Sequence, residues 1–236
     1  MNRLYLIPTP LVRQRENPVL PEYTLEVVRN LSRFVVENVR TAQGFLQWID
    51  HPLKPYEPEF RVLNRKTPDH EVFGFLKFLE GGDVGILSEA GAPGVADPGA
   101  RLVRMAHKRG IPVVPLTGPS SILLALMGSG LNGQSFAFHG YLPRKEALAG
   151  NVLRELENHS LHQSQTQIVM ETPFRNNSTL QTLLSSLHPE TELCIAANLT
   201  HPEELLQTRS VARWKESGPP DLHNIPALFL FLARES

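Results

Sequence analysis

A chain of 236 residues with 41% hydrophobic, 20% charged and 7% aromatic side chains has the composition of a folded globular protein, which excludes wholesale disorder and a staple-dependent miniprotein. Its formal net charge of -1 argues against nucleic-acid binding driven by bulk positive charge, and a single cysteine, Cys194, excludes a disulfide framework or a thiolate-rich zinc site. The longest apolar run, residues 225–233, is strand-sized and broken by Pro226, so no membrane span is expected.

In chain order, the first apolar run, residues 4–7, ends at Pro8, too early for a signal-peptide core, and a cytoplasmic protein is expected. Residues 4–7, 34–36, 61–63, 84–87 and 112–116 are predicted strands, rich in Val, Ile and Leu and bounded by Gly, Pro or Asn. Between them, residues 41–49, 69–79 and 99–108 are predicted helices. In the second, Asp69 is the expected N-cap and Val72, Phe73, Leu76, Phe78 and Leu79 the apolar stripe. In the third, Asp97 is the expected cap, Pro98 the first helical residue and Gly110 the stop. Phe45 and Trp48 are expected in the core. Alternating strands and helices imply a parallel sheet with helices on its faces.

Downstream the spacing changes. Residues 136–139, 167–170, 193–197 and 227–232 are predicted strands, residues 145–158 and 176–188 predicted helices, and residues 216–226 a loop. The expected division is an N-terminal α/β domain, 1–117, and a C-terminal α/β domain with a mixed sheet, 118–236.

The stretch from Ser88 to Gly99 carries the most chemistry. It follows the strongest strand, and its three glycines let the backbone approach a ligand closely or take positive φ. It has neither the GxGxxG order of a dinucleotide loop nor the Lys-Ser/Thr ending of a P-loop. A second bend, Thr117-Gly118-Pro119-Ser120-Ser121, again joins a strand to a helix start. Glu89 and Asp97 in this loop, and Glu171 farther along the chain, are the candidate carboxylates, with no one of them singled out as a base. Arg13, Arg15, Arg61, Arg65 and Lys66 are either a basic face or solvated surface charge. His159 and His162 lack the company a metal needs, and no metal site is expected. Cys194, in a predicted buried strand, is expected to be inert.

Four blocks then bear a family resemblance: residues 85–99, residues 113–121, Gly140-Tyr141-Leu142-Pro143-Arg144-Lys145, and Glu171-Thr172-Pro173-Phe174-Arg175. In order, they resemble the motifs of the tetrapyrrole methylase (class III) S-adenosylmethionine-dependent methyltransferases, and most closely those of the ribosomal RNA small-subunit methyltransferase I group. Weaker likenesses flank them at residues 4–11, at Val36-Glu37-Asn38-Val39-Arg40, at residues 195–200 and at residues 226–231. The chain departs from the family at residues 11–17, at Glu89 in place of Asp, and at Ala197-Asn198 in place of Arg-Glu, which marks a divergent relative.

The resemblance implies two α/β domains with S-adenosylmethionine in a cleft between them, and a homodimer. Carried over residue by residue, it implies cofactor contacts at Glu89, Ala90, Gly91, Ala92, Pro93, Ser120, Ser121, Ile122, Met170, Glu171, Ala196, Ala197, Pro226 and Ala227. Arg40, Arg144, Lys145 and Arg175 are the expected contacts to an anionic substrate. The implied activity is methyl transfer, to a ribosomal RNA cytidine 2′-hydroxyl or to a tetrapyrrole-like small molecule; a non-catalytic cofactor-binding protein is the remaining alternative.

Overall fold

The computed structural model describes residues 2–12 and 19–234, arranged as two compact units that divide between Ser120 and Ser121. Arg13 and Arg15 of the candidate basic face, and most of the divergent stretch after the first strand, lie outside the described residues.

The first unit runs β1 (Leu4–Ile7), α1 (Glu22–Arg29), β2 (Arg33–Val36), α2 (Val39–Trp48), β3 (Glu59–Val62), α3 (Asp69–Glu80), β4 (Val84–Leu87), α4 (Ala100–Lys108) and β5 (Val113–Pro115). All five strands are parallel, in the order β3-β2-β4-β1-β5. Alternate residues of each strand feed opposite faces. Tyr5, Ile7, Phe34 and Val36 pack with Val28, Phe45 and Leu46 on the side of α1 and α2. Leu4, Val35, Val84 and Ile86 pack with Val72, Leu79 and Leu102 on the side of α3 and α4. Burial on both faces explains why β4, Val-Gly-Ile-Leu, reads as a continuous apolar run.

This order sets where a ligand crevice falls. The chain leaves β1 toward β2 and leaves β4 toward β5, on opposite sides of the adjacent β1–β4 pair. The carboxyl ends of those two strands are therefore the switch point of the sheet.

The second unit runs α5 (Ser121–Ser129), β6 (Phe136–Tyr141), α6 (Glu146–Gln163), β7 (Thr166–Met170), a 3₁₀ turn (Pro173–Arg175), α7 (Asn176–Ser186), β8 (Glu192–Ala197), β9 (Leu205–Ser210), α8 (Val211–Ser217) and β10 (Ala227–Leu232). Its sheet is mixed, in the order β6-β7-β10-β8-β9; only β6 and β7 pair in parallel. Phe229 and Phe231 meet Leu153, Leu183 and Trp214 from α6, α7 and α8. Cys194 is buried in β8, and that burial pushes its thiol above the usual range. Among the described residues no helix is long and apolar enough to cross a membrane.

Several local expectations are corrected. Asp97 does not cap α4: Gly99 holds that position, with no side-chain cap, and Pro98 precedes the helix. Pro68, not Asp69, is the N-cap of α3. On α3, Phe73 is 60% exposed and Phe75 is buried in its place, because residues 72, 75, 76 and 79 make the inward stripe. Trp48 is only half-buried, stacked on Phe45 with ring centroids 6.3 Å apart. Elements with no counterpart in the sequence reading are α1, β9 and α8, while α5 was legible only as a helix start.

Candidate functional site

At the switch point the loop after β4 is pinned from behind. Thr9 and Gly91 exchange backbone hydrogen bonds of 3.0 and 2.9 Å. The Thr9 hydroxyl donates to the Ser88 carbonyl at 3.1 Å, and the Ser88 hydroxyl to the Gly91 carbonyl at 2.5 Å. Asp97 works from inside the loop: its Oδ1 accepts from the Gly94 and Gly99 amides at 3.0 and 2.6 Å. Its carboxylate is thus a staple across the bend, where the sequence suggested a helix cap. A Cβ at Gly99 would lie 2.6 Å from that same oxygen, so a side chain there would displace the staple.

Gly91 has φ of +73°, the left-handed region that glycine enters without strain. A Cβ there would come 3.4 Å from Leu11 and 3.8 Å from the Pro119 carbonyl, so the two glycine-punctuated bends meet. Thr24 fixes the second bend from α1, its hydroxyl donating to the Thr117 carbonyl at 2.8 Å. Gly91 and Pro93 are buried while Glu89 and Ala90 are exposed, and Ala92 and Ser120 are half-buried.

Sequence reasoning missed Glu37 as an acid. Val36 and Leu87 are register partners, so the residues after them, Glu37 and Ser88, leave the sheet side by side. Partial burial, then the charge and hydrogen bond of Asp97, then the charge of Glu89, push the Glu37 carboxyl up to about 7, against the opposing effect of Arg65. Glu37 and Asp97 are 60 positions apart in the chain, and only the β2–β4 pairing brings them together.

The expected cofactor residues of the second unit collect at one end of its sheet. Met170 pairs with Leu228 and Leu228 with Ala196, and Ala227 pairs with Ala197. The Asn198 amide donates to the Pro226 carbonyl at 2.9 Å. Ala197 turns its side chain into the helix-covered core. Ser121 and Ile122, half-buried, open α5. Glu171 is 6% exposed; its Oε1 accepts from the Thr172 amide at 2.7 Å. Its Oε2 stands 3.5 Å from the Arg175 guanidinium but accepts no hydrogen bond. A buried carboxylate oxygen left so is a place for a ligand N–H or O–H to donate.

Of the expected substrate contacts, Arg40 is exposed on α2 in the first unit. Arg144, Lys145 and Arg175 gather in the second, where Arg175 also donates to the Arg144 carbonyl at 3.2 Å.

The tetrapyrrole (corrin/porphyrin) methylase family matches residues 24–213. Ribosomal RNA small subunit methyltransferase I of Vibrio cholerae is 31% identical over 209 residues, covering 89% of this chain and 69% of that protein. The Micromonospora olivasterospora protein of the same name is 34% identical over 203 residues, 85% of this chain and 60% of its own length. The crystal structure of the methyltransferase CobJ has the same fold, with a TM-score of 0.63 at 13% identity, covering 99% of this chain and 95% of that one. The chain spans roughly two thirds of the length of the sequence relatives it matches. With the family matched across most of its length, this chain belongs to the tetrapyrrole methylases and is a methyltransferase.

Proposed function

We propose that the chain transfers a methyl group from S-adenosylmethionine to small-subunit ribosomal RNA, at a cytidine 2′-hydroxyl. The observation that carries the cofactor part is the loop from Glu89 to Pro93. Its turn is held by Thr9, Ser88 and Asp97 from within the first unit, which leaves Glu89 and Ala90 exposed and Ala92 half-buried at the switch point. Within the second unit, the Glu171 Oε2, which accepts no hydrogen bond, is free to accept one from a ligand N–H or O–H. When bound, S-adenosylmethionine supplies an electrophilic methyl that is displaced in line, with the bonding pair leaving to sulfur.

The residues of this chain contribute alignment and exclusion of water more than covalent chemistry. The loop backbone fixes one ligand in place without ordering long side chains. Glu37, beside Asp97, holds its proton to about pH 7 at the rim of that loop. The acceptor part of the reading rests on the two relatives, both named for ribosomal RNA of the small subunit.

Self-association belongs to the same reading. In the second unit Leu123, Leu126, Met127, Leu131 and Phe136 line an apolar groove of about 420 Å³, with Met127 79% exposed. Apolar surface of this kind marks an interaction face, and we take a second copy of the chain as its occupant.

Incubation with methyl-labelled S-adenosylmethionine tests the acceptor. Label in RNA from undermethylated small ribosomal subunits supports the proposal. Label only in a tetrapyrrole fraction would replace RNA with the small-molecule acceptor.

A further inference from the structure

Beyond the carboxyl end of β6, a cavity of about 210 Å³ opens in the second unit where α6 and α7 begin. At about 30 Å³ per water it has room for roughly seven waters, enough for a tetrahedral anion and part of its ester. Its polar lining comes from Arg144, Glu146, Arg175, Ser178, Thr179 and Thr182.

Three independent features of this lining favour a negatively charged ligand. Thr179 is 5% exposed, and its hydroxyl has no partner among the described residues. Its neighbours have spent theirs: Ser178 donates to the Arg175 carbonyl and Thr182 to the Ser178 carbonyl, each at 2.9 Å. An unpartnered hydroxyl on a largely buried side chain that lines a cavity is available to donate to a ligand.

Next, α6 is 18 residues long and starts with no side-chain cap, Lys145 being its N-cap. The first amides of such a helix favour an anion. Finally, Arg175 is held in place by Glu171 at 3.5 Å and by the Arg144 carbonyl at 3.2 Å, while Arg144 itself is exposed at the rim. Glu146 opposes these cations. It is exposed, so its carboxylate has solvent to turn toward.

We propose that this cavity is a phosphate subsite that takes a phosphodiester of the RNA acceptor, with the Thr179 hydroxyl, the first amides of α6 and the Arg144 guanidinium as its donors. The RNA part rests on the reading in the preceding section; the phosphate chemistry does not.

Amide NMR on the full chain tests both parts. Titration with inorganic phosphate should shift the Ala147 and Thr179 amides saturably, and a short cytidine-containing oligoribonucleotide should shift the same amides at lower concentration. Thr179→Val, which keeps the volume and removes the donor, and Arg144→Ala should each weaken both ligands about tenfold, the loss expected for one hydrogen bond to a charged group. Glu146→Gln should tighten both. Arg144 is exposed, so its variant reports on binding even if Thr179→Val folds poorly. No saturable shift with either ligand overturns the proposal, as does a response to phosphate with none to the oligonucleotide. Oligonucleotide binding at these amides without RNA methylation would count against the methylation reading and leave the subsite standing.

Discussion

Thr9 and Gly91, 82 positions apart in the chain, exchange a pair of backbone hydrogen bonds that tie the loop after β1 to the loop after β4. The pair is an isolated antiparallel bridge just past the ends of the parallel β1 and β4, with Ser88 bonded to both residues. These bonds hold the bend that follows in one arrangement, which lowers the cost of ordering it around a ligand.

Gly91→Val tests that surface. Valine pays about 1–3 kcal/mol for positive φ, and its branch points at Leu11 and the Pro119 carbonyl. Calorimetric titration should show S-adenosylmethionine binding lost, while urea denaturation shows a folded chain destabilised by about that amount. Unchanged affinity would mean that the bend does not touch the cofactor.

Glu37 makes stability depend on pH. Its carboxyl holds the proton up to about pH 7 in the folded chain but only to its ordinary 4.5 when unfolded. Between these values the folded state binds more protons, so stability falls as pH rises from 4.5 to 7 and levels off above. Glu37→Gln keeps a hydrogen-bond donor beside Asp97 and never ionises. At pH 8 it should raise stability by about 1 kcal/mol, a figure discounted for the exposure of the group, or roughly 2–4 °C in melting temperature. The gain should shrink as pH falls toward 4.5; an equal gain at both ends of the range would contradict the assignment.

Met127→Asp places a charge on the exposed apolar groove without touching a core. Analytical ultracentrifugation should find the unsubstituted chain dimeric and the variant monomeric, with the melting curve of each unit little changed. A dimer that survives the substitution must use another face.

Much of the first unit was legible because its strands are buried on both sides. Runs such as Val-Gly-Ile-Leu, followed within about six residues by glycine and proline, leave little choice of element or of loop. By contrast β9, Leu-Leu-Gln-Thr-Arg-Ser, is a half-buried edge strand with no apolar run to announce it. Helices α1 and α8 are eight and seven residues long, too short for periodicity to rise above chance. The role of Asp97 was misread because a carboxylate before a helix looks like a cap; only the fold of its own loop turns it toward Gly94 and Gly99. Glu37 and the Thr179 cavity were beyond sequence reasoning, since each depends on elements that meet only in the folded unit.

Nucleoside mass spectrometry tests the central claim most directly. Small ribosomal subunits lacking the modification would be incubated with the chain and S-adenosylmethionine, and their RNA digested. The account predicts a 2′-O-methylated cytidine that is absent when Gly91→Val is used. An RNA with no new methylated nucleoside, or with the methyl on a base, would contradict it.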